Sequence, residues 1–99
     1  MSLFTFPEDP RWNDEREAVE LVVEVGEYHG LVVIPRRIVH DLLGARPTPE
    51  QCVEYCFLHR TEFERIAETK IRARELDPDA NVLVSGRDTQ RAGKRTQSL

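Results

Sequence analysis

The chain has 99 residues and a net charge of −4, which makes one domain large enough to bury a core without disulfide or metal staples. No run approaches the roughly 20 apolar residues of a membrane span, and Glu8 and Asp9 stand where a leader would be basic and then apolar, so the expected location is the cytoplasm, with no membrane partner. Residues 1–50 hold five basic and ten acidic residues, whereas from Gly86 onward four basic residues face one acid. An acidic body with a short basic tail argues against a dedicated nucleic-acid binder, which is basic across a whole face.

Leu3-Phe4-Thr5-Phe6 opens the chain as an edge strand or an anchor on the core. Pro7 and Pro10 then impose an extended, turning path. Trp12 is the single tryptophan and is expected to lid one end of the core. Residues 17–25 alternate: Val19, Leu21, Val23 and Val25 point one way, and Ala18, Glu20, Val22 and Glu24 the other, which predicts a half-buried strand. Gly26 to Gly30 is a turn of hairpin size, and Leu31 to Ile34 returns as the second strand. His29 at the tip is expected to be exposed.

Pro35 ends that strand and opens a short helix through Ile38, Val39, Leu42 and Leu43, closed by Gly44. Arg36 and Arg37 lie in its first turn, where the helix dipole disfavours cations. That misplacement is either incidental or the mark of an anion site between two helices.

Thr48 to Glu75 is predicted as one long helix. Thr48 is a good N-cap, Pro49 fits the first helical position, and Gln51 completes a capping box. Asp77-Pro78 ends it. Cys52, Cys56, His59, Phe63, Ile66 and Lys70 follow a 3–4 rhythm along one stripe, widened by Val53, Phe57, Ala67, Ile71 and Tyr55. His59 and Lys70 interrupt the stripe with polar groups. Either they are satisfied at the rim of the core, with the Lys70 stem buried and its ammonium reaching water, or His59, Arg60 and Lys70 supply donors to an anionic ligand.

Pro78 to Asn81 is a turn, and Val82 to Ser85 a third strand. From Gly86 the only apolar residues are Ala92 and Leu99. Too little apolar surface is available to order such a segment, so the domain is expected to span 1–88 and to be followed by a disordered basic tail, 89–99. Arg87, Arg91, Lys94 and Arg95 are its candidates for nucleic-acid contact.

Cys52, Cys56 and His59 share one helix face, but zinc wants four ligands with outer support, so two buried cysteines acting as small hydrophobes are the better account. No metal and no cofactor are implied. Motifs of serine hydrolases, nucleotide-binding loops and metalloproteases are missing, and no two carboxylates stand out as a buried pair. Catalytic residues are therefore not assigned, and an enzyme is disfavoured.

The order of motifs resembles a known family. Phe6-Pro7 comes early. A strand and turn follow, then a short helix from Ile38 ending in Leu43-Gly44-Ala45. After these come a helix carrying His59-Arg60, Ala67 and Lys70-Ile71, and a closing strand. This pattern, over roughly Phe4 to Asp88, is similar to small bacterial proteins known as a domain of unknown function, family fourteen-eighty-eight. The resemblance implies a compact α+β domain in a bacterial cytoplasm, and carries no activity or substrate.

The expected fold is therefore α+β: a small antiparallel sheet of a hairpin plus the last strand, joined or not by the N-terminal segment, covered on one face by a short and a long helix. The expected function is a non-catalytic binding or adaptor module with a protein partner or a second copy of itself, using the outer sheet face or an edge strand. Two alternatives stand beside it. One is nucleic-acid association through the tail with Arg36 and Arg37. The other is a small-ligand binder at His59, Arg60 and Lys70.

Overall fold

The structure, a computed structural model, describes residues 3–97, with side chains as far as Arg91. Four strands lie side by side in chain order: β1 (Arg11–Asn13), β2 (Ala18–Val25), β3 (Tyr28–Pro35) and β4 (Val82–Leu83). The helices are α1 (Arg36–Leu43), α2 (Pro49–Leu58), α3 (Arg60–Arg72) and α4 (Gly86–Gln97). The fold class is α+β, as the alternation and helical spacing predict.

The hairpin follows from the pattern of residues 18–35. Val25 pairs with Tyr28, so the turn has only two residues, and Gly26 takes its left-handed position at φ 57°. Register then puts Val19, Leu21 and Val23 on the same face as Ile34 and Val32. These side chains are buried with Ile38, Val39, Cys52, Cys56, Phe63, Ile66, Ala67, Val82 and Val84 in one core. Gly30 lies on that face too. A Cβ there would sit 2.3 Å from the Tyr28 hydroxyl, which instead donates to the Ala80 carbonyl at 2.6 Å. Trp12 pairs with Val19 and packs half-buried at the core's edge. Upstream, Thr5 makes a single antiparallel bridge to Glu24, so the N-terminal segment does pair with the sheet.

The sheet is mixed, not wholly antiparallel. β4 runs parallel to β3, with Val32 beside Val82, because the three helices between them carry the chain back to the starting end of the sheet, as parallel neighbours require.

The long helix is also two helices. The predicted capping box is present: Thr48 Oγ1 accepts from Gln51 N–H at 3.1 Å, and Gln51 Oε1 accepts from Thr48 N–H at 2.9 Å. The break falls at His59, where φ is −108° and ψ 26°. A straight rod from Thr48 to Glu75 would be roughly 40 Å long, whereas eight-residue strands span roughly 26 Å. Bending at His59 lets α2 cross β1 and β2 while α3 reaches β4 and α4.

The stretch expected to be a disordered tail runs as α4 through Gln97, so the expected boundary at residue 88 falls inside a helix; residues 98 and 99 lie outside the described residues. A polar anchor starts this helix. Asp88 Oδ2 accepts from Ser85 N–H at 2.8 Å, from Ser85 Oγ at 3.0 Å and from Lys70 Nζ at 2.9 Å. Asp88 and Lys70 are only 8% and 14% exposed at the side chain. Burial alone would raise the Asp88 pKa, but the bonds from Lys70 and Ser85 outweigh it and hold the carboxyl below its ordinary range. Among the described residues, no helix is long and apolar enough to cross a membrane.

Candidate functional site: an arginine-lined concavity

The site forms where three segments meet at the start of α1. Pro35 ends β3 and holds an extended backbone at the head of α1 (φ −61°, ψ 148°). Glu17, in the turn between β1 and β2, adopts a left-handed φ of 48°, and its carbonyl accepts from Arg36 N–H at 3.0 Å. Pro47, buried in the link between α1 and α2, presents its carbonyl to the Arg36 guanidinium, at 2.9 Å from Nε and 2.6 Å from Nη2. Arg36 also reaches Glu17 Oε1 at 3.5 Å and lies 5.9 Å from the centroid of the Trp12 ring. One arginine thus clamps the turn, the helix start and the link.

Around that clamp lies an open concavity of about 310 Å³ lined by Arg16, Glu17, Pro35, Arg36, Arg37, His40 and Arg46. Four of the five basic residues among residues 1–50 meet here, in a half of the chain with twice as many acids. Arg16 is 3.5 Å from Glu20. Arg37 and Arg46 are exposed and have no ion pair or side-chain bond among the described residues. The α1 N-terminus has no side-chain cap and no acid in its first turn, so its partial positive charge adds to the same field. Clustered cations of this kind are stabilised by an anion or by solvent alone.

The sequence singles out Arg36 and Arg37, and both line this concavity, Arg36 as its scaffold and Arg37 at its surface. Arg16, His40 and Arg46 are added by the fold. No local spacing marks them, because they come from a turn, the second turn of a helix and a link.

The other candidate residues sit elsewhere. His59 is exposed at the helix break and stacks on Tyr55, with ring centroids 4.2 Å apart. Arg60 donates to Glu64 Oε2 at 2.7 Å, to Asp9 Oδ1 at 3.4 Å and to the Phe6 carbonyl, tying α3 to the N-terminal segment. Lys70, ten residues further along α3 and so roughly 15 Å away along its axis, ties α3 to α4 through Asp88. Arg87 and Arg91 are exposed on α4; the Lys94 and Arg95 side chains lie outside the description.

Cys52 and Cys56 are buried thiols while His59 is exposed, and no three potential ligands cluster among the described residues. Burial, with Cys52 adding to it, pushes the Cys56 thiol up to about 12. Burial raises Cys52 as well, with Arg36 pulling the other way. Both are protonated at neutral pH, which suits packing and not nucleophilic or ligand chemistry.

The outer sheet face carries Ala18, Glu20, Val22 and Glu24. Ala18 and Val22 are buried, and Glu20 accepts from Asn13 at 2.8 Å. Leu83, at 41% exposed, is the large apolar side chain that β4 leaves open.

Fold and site together define a small α+β domain with an arginine-lined concavity. The chain matches the family model of DUF1488, described as a protein of unknown function, over residues 4–84, and belongs to that family. The crystal structure of a DUF1488 protein of unknown function from Shewanella loihica shares the fold, with a TM-score of 0.76 at 19% identity, covering 85% of this chain and 94% of that one. No curated protein matches the chain.

Proposed function

We propose that this domain is a non-catalytic binding module that receives an anionic group in the concavity at the start of α1. The observation that supports the reading is the convergence of Arg16, Arg36, Arg37 and Arg46 on one open surface of a chain whose net charge is −4. Like charges repel, so gathering four guanidinium groups costs stability unless a counter-charge returns it. Glu17, the only acid in the lining, lies 3.5 Å from Arg36, and Glu20 lies 3.5 Å from Arg16, so two of the four cations are left without a carboxylate. The adaptor role then follows if the anionic group belongs to a partner, and the ligand-carrier role if it belongs to a small molecule.

Ligands that bind only the folded state raise its melting temperature. Sodium phosphate is expected to raise Tm above sodium chloride at matched ionic strength. Phosphate also stabilises proteins by exclusion from their surfaces, so the decisive comparison is with Arg37→Glu combined with Arg46→Glu, which should lose most of the difference. An equal phosphate effect in the variant would defeat the reading.

A further inference from the structure

We propose that the group bound in this concavity is a phosphate monoester on a small molecule. The inference rests on the anion-binding reading and adds the ligand's chemistry. Arg36 is committed to the Pro47 carbonyl and to Glu17, and Arg16 is shared with Glu20 at 3.5 Å. Arg37 and Arg46 are the two lining guanidinium groups with no partner among the described residues. Two uncommitted cations match a dianion. At pH 7.5 a phosphate monoester is close to that charge, since its second pKa is about 6. A carboxylate or a phosphodiester brings a single charge and leaves one guanidinium uncompensated.

Shape points the same way. Guanidinium donors form a planar fork that meets two oxygens at once. A monoester offers three terminal oxygens and a diester two, so a monoester can engage both arginines and still accept a bond from His40, one turn along α1 from Arg37. The space of about 310 Å³ admits a phosphate with a small carbon body. No Phe, Tyr or Trp ring lines it, His40 being its one ring, so it lacks the row of stacking platforms on which single-stranded nucleic acids are held.

The test is an NMR titration of the ¹⁵N-labelled full chain at pH 7.5 and low salt, using methyl phosphate and dimethyl phosphate as a matched pair. Methyl phosphate is expected to move the amide signals of Arg37, His40 and Arg46 along a saturating curve. Dimethyl phosphate should bind about tenfold more weakly, the effect of one fewer charge at contact distance. Arg37→Gln combined with Arg46→Gln should weaken methyl phosphate by at least that factor while the ligand-free Tm does not fall, since two mutually repelling cations are removed, and Arg87→Gln on α4 should leave the affinity unchanged. Equal affinity for the two esters would overturn the monoester assignment and leave the anion site standing. No shift with either ester would overturn both. A phosphoserine peptide binding more tightly than methyl phosphate would overturn the small-molecule source.

Discussion

Phe63→Ala is expected to cost about 4 kcal/mol, a large share of the roughly 5–15 kcal/mol that holds a domain of this size. Phe63 is 1% exposed and stands in the first turn of α3, just past the break at His59. Its ring meets the edge of Tyr55 on α2 at 6.5 Å and 64° and joins the strand residues in the core. It therefore fastens both halves of the bent helix to the sheet at one point. The truncation leaves a cavity where two helices and a sheet converge, and those three elements cannot all close in to fill it. Urea unfolding of the variant should show a midpoint lower than that of the wild type by about 1–4 M, the loss divided by a slope of about 1–3 kcal/mol/M. A loss under about 1 kcal/mol would mean that Phe63 lies outside the true core.

Asp88→Asn is expected to cost about 3 kcal/mol, because it leaves the Lys70 ammonium largely buried and without its counter-charge. The double variant Lys70→Met with Asp88→Leu removes both charges and should recover most of the loss. The pH dependence has a definite sign. The folded carboxyl is held below its ordinary value, so its contribution is full above the unfolded pKa of about 3.9 and is lost as pH falls through the folded value. The wild type should therefore lose stability below about pH 4 more steeply than Asp88→Asn, by urea midpoints at pH 7 and pH 3. Parallel acid profiles would rule out the Lys70–Asp88 tie as the anchor of α4.

Particular residues explain what was legible in the sequence. Alternation from Ala18 to Val25 could place only one set of valines inward, since a slip of one residue would bury Glu20 and Glu24. Gly44 closes α1 in the left-handed region at φ 77°, where glycine is favoured. The Thr48–Gln51 box was readable because its bonds are local. The break at His59 was not, because the apolar stripe keeps its phase across it: Cys52 and Cys56 before, Phe63, Ile66 and Ala67 after, all on the core face. It goes with the tertiary packing of α2 on β1 and β2 and of α3 on β4 and α4, which no local pattern encodes. Apolar content missed α4, since Asp88, Ser85 and Lys70 hold it by charge and hydrogen bonds. His59, Arg60 and Lys70 drew attention as polar groups on one stripe, yet their contacts run to Tyr55, the N-terminal segment and α4 respectively. The concavity was half legible. The unfavourable placement of Arg36 and Arg37 hinted at an anion site, while Arg16 and Arg46 join it only because Glu17 and Pro47 bring their segments to Arg36.

The most direct measurement of the central claim is a chemical-shift map of the ¹⁵N-labelled protein titrated with inorganic phosphate at constant ionic strength. The account predicts saturable shifts centred on Arg16, Arg36, Arg37, His40 and Arg46, fading as salt is raised because these charges are open to screening. Shifts confined to Arg87, Arg91 and the rest of α4, or no saturable shift at all, would contradict it.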